Sequence, residues 1–182
     1  PERAQGFEAG VKSTLADNQL RLNVGLYRYT YSNMQVEYFD SVAIALNSLN
    51  AGSAKTRGIE VEIEYAPNAL EGLTFRGSAS FNHARYGNFP VVCTPGQGPA
   101  EGCDPNGPTG PTQNLKGRPT AMAPDFAATF GVAYERALPN GWRLGASVDG
   151  RYSDSYYASS LLSPGTTVPR RTRDSSSASW RR

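Results

Sequence analysis

The sequence is poor in the side chains that do chemistry, with one histidine, His83, and two cysteines, Cys93 and Cys103, in 182 residues. A single imidazole allows no Ser-His-Asp set except around itself, so no catalytic residue is assigned and the chain does not read as an enzyme. The cysteines bracket a Gly/Pro-rich segment, with no second Cys pair or nearby His to complete a zinc set, and neither a metal site nor a cofactor is assigned. Their spacing is not CxxC, which points to a structural loop disulfide in an oxidising compartment. A basic body is missing too. The net charge is +2, and the last 13 residues alone carry +4, which leaves the rest at −2 and excludes a basic nucleic-acid binder. No run approaches the roughly 18 apolar residues of a membrane-spanning helix, and the mean hydropathy is −0.49. The chain opens at Pro1 with neither an initiator Met nor a signal-peptide pattern, which reads as an internal or C-terminal fragment.

What the chain does have is β-forming and turn-forming residues, 10 Tyr with 19 Gly and 13 Pro, and a period of two. A strand crosses a bilayer with about 10 residues, every second one facing lipid, so alternation is the informative signal and mean hydropathy is not. Six segments alternate. Phe7, Ala9 and Val11 oppose Glu8, Gly10 and Lys12, and Leu20, Leu22, Val24 and Leu26 oppose Arg21, Asn23, Gly25 and Tyr27. The sharpest sets Ile59, Val61, Ile63 and Tyr65 against Glu60, Glu62 and Glu64. Leu73 to Phe81, Phe126 to Tyr134 and Trp142 to Val148 follow the same rule, after which the alternation fails. The fold class is therefore all-β: an antiparallel transmembrane β-barrel of which at least six strands are present.

The connections run short (14–18), long (40–55), short (67–71), long (86–119), short (139–141), the rhythm of tight periplasmic turns and large external loops. On this orientation Tyr65, Leu73, Tyr134 and Trp142 band together at the periplasmic ends of the apolar face, where interfacial aromatic girdles sit. Glu60, Glu62, Glu64 and Arg76 become lumen-facing, and counting register places Arg21 and Arg76 opposite Glu64. Such pairs are worth about 0.2–1 kcal/mol each and tune a wall rather than perform chemistry.

The segment from Asn50 to Glu62, Asn-Ala-Gly-Ser-Ala-Lys-Thr-Arg-Gly-Ile-Glu-Val-Glu, resembles a barrel stretch of TonB-dependent outer-membrane receptors. Leu115-Lys116-Gly117-Arg118-Pro119 through Ala123-Pro124 is similar to the run that precedes another of their strands, and Pro1-Glu2 to Lys12 resembles a third. The resemblance spans 1–165. It implies a barrel of about 22 strands closed by a plug, of which this chain is a C-terminal fragment, with the plug and the TonB contact lying upstream. It further implies an active-transport receptor in the bacterial outer membrane, embedded in lipid and energised through TonB, for a scarce nutrient complex such as a ferric siderophore, cobalamin or a glycan. The family ends on an amphipathic strand with a terminal aromatic. Residues 166–182 depart from this and read as an irregular basic, Ser-rich tail, either truncated or frameshifted, or simply disordered.

Ligand contacts are expected at the external rim, from His83, Arg85, Tyr86, Arg118 and Tyr38, with a solvated rim as the plainer reading of His83. Tyr27, Tyr29, Tyr31, Tyr38 and Phe39 serve equally as stacking groups for a ligand or as interfacial anchors. Two other classes compete. A small self-contained barrel would need two more alternating strands and a closing aromatic terminus, and a soluble β-sandwich binding domain is one for which six or seven strands are enough.

Overall fold

A computed structural model describes residues 1–40, 45–94, 96–107, 111–158, 167–169 and 171–181, and their side chains except at 36–40, 45–51, 167 and 171–181. The strands are β1 (Arg3–Leu15), β2 (Leu20–Asp40), β3 (Ala45–Tyr65), β4 (Leu73–Tyr86), β5 (Pro90–Val92), β6 (Thr112–Asn114), β7 (Phe126–Ala137), β8 (Arg143–Ser153), β9 (Tyr156–Tyr157), β10 (Thr167–Val168) and β11 (Arg171–Arg181). Seven form one antiparallel sheet in the order β1-β2-β3-β4-β7-β8-β11, with β1 and β11 at its edges. The two pairs β5-β6 and β9-β10 lie in the connections. Among the described residues no second large sheet packs on the first, which removes the sandwich reading.

Tight turns close one end. Gln19 N–H donates to the Ala16 carbonyl at 3.0 Å, Leu70 N–H to Pro67 at 3.1 Å and Gly141 N–H to Leu138 at 3.0 Å. The longer connections lie at the other end. One expected loop is much shorter: β2 and β3 stay paired out to Asp40 opposite Ala45, through a bulge after Tyr31 where Asn33 takes a left-handed φ of 55°. Val36, Tyr38 and Phe39 keep that stretch rich in strand formers, and an antiparallel ladder needs only backbone groups to continue.

The same reason corrects the tail. Over Arg171–Arg181 the chain is not irregular but forms the outermost strand, from Arg171 opposite Ser153 to Arg181 opposite Arg143. The loss of hydrophobic alternation concealed it, because the ladder satisfies N–H and C=O groups whatever the side chains are.

Opposed residues in an antiparallel pair point to the same side, so the register sorts the sheet into rows. Ala9, Leu26, Ile59, Phe81 and Phe126 form one row, and Leu15, Leu20, Tyr65, Phe75, Val132 and Val148 a parallel one nearer the turns. Among the described residues the apolar face is uncovered: Phe7 is 63 % exposed, Phe81 54 % and Phe130 55 %. Aromatics rim it, with Phe81, Phe126 and Tyr152 in a chain of ring contacts (4.7 and 5.8 Å between centroids) at one edge and Tyr65 beside Phe75 (6.2 Å) toward the other. From Phe126 to Tyr134 is eight residues, about 27 Å along the strand and roughly 20 Å along the normal at barrel tilt. That is close to the height of a lipid-facing band.

The buried core is small and elsewhere. Phe89 and Leu115, the fully buried side chains among the described residues, pack with Ala54, Tyr86 and Val91, holding the loop between β4 and β7 onto the sheet. Cys93 and Cys103 are bonded within that loop, with Cα atoms 5.8 Å apart.

Candidate functional site

The candidate functional surface is the polar face of the sheet, and it has two tiers. Nearer the tight turns, strands β2, β3, β4, β7 and β8 line a depression of about 760 Å³ with Arg21, Glu62, Glu64, Arg76, Asp149 and Arg151. Glu64 stands opposite Arg21 and Arg76, as register counting expects. Only Arg21 is paired with it, at 3.6 Å, for Arg76 turns away to Asp149 at 2.6 Å.

Arg76 and Asp149 are not on neighbouring strands. Gly131 of β7 lies between them in register, and a Cβ there would meet both the Asp149 carboxylate and the Arg76 side chain. Glycine leaves the gap through which a two-strand reach is made. Glu62 accepts from Asn23 Nδ2 at 3.2 Å, and Ser78 and Thr129 hydroxyls share a bond of 2.7 Å. Each exposed ion pair is worth about 0–1 kcal/mol, so this tier is a hydrated, charge-balanced wall.

The second tier lies toward the long connections. Tyr27, Tyr29 and Tyr31 share the polar face with the glutamates, not the apolar face. Tyr27 crosses over Gly58 of β3 to donate to Asn82 Oδ1 at 3.0 Å, where Thr56 Oγ1 also donates at 2.8 Å. A Cβ on Gly58 would collide with the Tyr27 ring. Tyr29 lies against Gly6 and donates to Glu8 at 2.5 Å. The interfacial-anchor reading of these three rings is therefore incorrect for the fold observed, since they back away from the apolar band. Their odd numbering, matched through the register to even positions of β1 and β3, was the available signal.

The expected rim residues do not converge. His83 is exposed on the apolar side, in the row of Arg57. Arg85 also lies on that side and donates from both terminal nitrogens to Asp125, at 2.8 Å each. These bonds hold the Asp125 carboxyl below the usual carboxylate range, against the opposing effect of partial burial. Tyr86 is buried, its ring 4.1 Å from that of Phe89 and its hydroxyl accepting from Ala121 N–H at 3.3 Å. Arg118 donates to the Glu101 carbonyl at 3.2 Å and so ties the disulfide loop down. The Tyr38 side chain lies outside the described residues. Among the described residues no group of three or more His, Cys, Asp or Glu is placed to hold a metal ion.

Residues 1–181 match the family model described as TonB dependent receptor-like, beta-barrel. The solved structures it resembles include the siderophore receptor PiuA from Acinetobacter baumannii, at TM-score 0.62 and 22 % identity over 96 % of this chain and 22 % of that one. Two variants of the FrpB iron transporter from Neisseria meningitidis superpose with TM-score 0.61, at 19 % and 16 % identity, each over 99 % of this chain and 24 % of theirs. The chain thus spans less than a quarter of the length of these proteins. No curated protein matches it in sequence. An open sheet with one lipid-like and one polar face, matched end to end by that model, is a length of barrel wall, and the chain belongs to the TonB-dependent receptor β-barrel family.

Proposed function

We propose that this wall belongs to an outer-membrane receptor that actively takes up a scarce nutrient complex, energised through TonB acting on a plug that the polar face meets. The observation that carries the reading is the contiguous, uncovered apolar face backed by a hydrated polar one. A patch of that extent on a water-soluble protein would drive aggregation, whereas lipid covers it without cost. Family membership makes transport rather than catalysis the class of activity, and the two structural neighbours named for siderophore and iron point to a ferric complex as cargo ahead of cobalamin or a glycan. On the polar face the ligand-side groups are Tyr27, Tyr29 and Tyr31, with rigid rings and hydroxyls that stack and hydrogen-bond. His83 and Arg85 face away from any lumen and are not ligand contacts on this reading.

The test is genetic and biochemical. Cells lacking the gene should lose uptake of radiolabelled iron from a ferric siderophore under iron limitation, and regain it when the gene is restored. Unchanged uptake, with the protein shown to be expressed in the parent strain, would remove the iron assignment. Recovery of the protein in the aqueous rather than the outer-membrane fraction would remove the membrane reading itself.

A further inference from the structure

Just beyond the apolar band, at the end of the long connections, the outward rows change character. Phe7, Arg28, Arg57 and His83 stand opposite one another on β1, β2, β3 and β4. Arg28 and Arg57 are direct Cα partners, and both are exposed. Like charges placed directly opposite on adjacent strands destabilise a sheet, yet among the described residues neither guanidinium is paired with a carboxylate. The acid that lines the same groove, Asp125, is occupied by Arg85. Lys55 and Arg85 add two further basic side chains in the next row outward.

Arg28, Arg57 and His83 rim a groove of about 510 Å³ whose floor is Leu26, Ile59 and Phe81, with Phe7 at its side. One end of the groove is thus hydrocarbon and the other a pair of unneutralised guanidiniums, an amphiphile's own division. Guanidinium forks match phosphate oxygens in bidentate geometry, and a bound anion would turn the like-charge contact into a bridge.

We propose that this groove is a site for an anionic lipid, with an acyl chain along Leu26, Ile59 and Phe81 and its phosphate held between Arg28 and Arg57. The site rests on the outer-membrane reading above, and it lies on the opposite side of the wall from the cargo.

The test uses the intact receptor in phosphatidylcholine nanodiscs doped with phosphatidic acid, released and read by native mass spectrometry. Wild type should retain a phosphatidic acid adduct that survives added inorganic phosphate. The R28Q/R57Q double variant should retain about thirtyfold less. The variant R21Q/R76Q, which loses the same charge from the polar face, should bind as wild type does. Equal retention by R28Q/R57Q would overturn the site while leaving the receptor reading intact. Displacement by inorganic phosphate alone would reduce it to a simple anion site and overturn the lipid assignment. A receptor that does not enter nanodiscs would overturn the membrane reading and the site with it.

Discussion

At the scale of single residues, two glycines do the work that charged and aromatic residues alone suggested. Gly58 and Gly131 remove a side chain at the points where Tyr27 and Arg76 pass across an intervening strand. Gly58→Ala should therefore push Tyr27 off Asn82 and lower stability by about 1–3 kcal/mol, the range for overpacking. The measurement is the urea midpoint of the intact receptor. Gly25→Ala is the matched control, because nothing lies within 4 Å of a Cβ built there, and it should leave the midpoint almost unchanged. Equal effects of the two would show that the close approach over Gly58 is unimportant. Neither role is legible from sequence: a glycine in a strand reads as a weak point until the register reveals what crosses it.

At the scale of elements, the six alternating segments were legible because one face of each had to be apolar. Ile59-Val61-Ile63 against Glu60-Glu62-Glu64 shows the rule at its clearest, and the pairing of Glu64 with Arg21 followed from counting alone. What stayed hidden were elements that owe nothing to that face. The outer halves of β2 and β3 and the whole of β11 are held by backbone ladders, so hydropathy carries no trace of them. His83 and Arg85 lie in the expected rim region, and only the register shows that they stand on the outward side, since a one-residue difference in parity turns a side chain through the sheet. The loop between β4 and β7 is a unit of another kind, with its own small core and a disulfide closing a separation of 10 residues. Replacing both Cys93 and Cys103 by Ser should release about 2–3 kcal/mol of local order by the chain-entropy model. Limited proteolysis would then nick the loop sooner, while the unfolding midpoint of the strands stays put. Unaltered nicking would mean that Phe89 and Leu115 hold the loop without the disulfide.

At the scale of the whole molecule, the wall has two faces with opposite tolerances. Ile63→Arg, in the middle of the apolar band, should cost about 2–4 kcal/mol of stability in a bilayer, whereas Glu62→Arg one residue away should change it by less than about 1 kcal/mol. Unfolding of the intact receptor from lipid vesicles measures both, and comparable losses would contradict the assignment of faces. The ties across Gly58 and Gly131 have a further consequence in mechanical terms. Tyr27–Asn82 and Arg76–Asp149 link strands that are next-but-one, so they act as crosswise ties laid over the ladder. A force that slides one strand along its axis loads not just the adjoining strand but the one beyond it, and the wall resists shear as a panel rather than as separate slats.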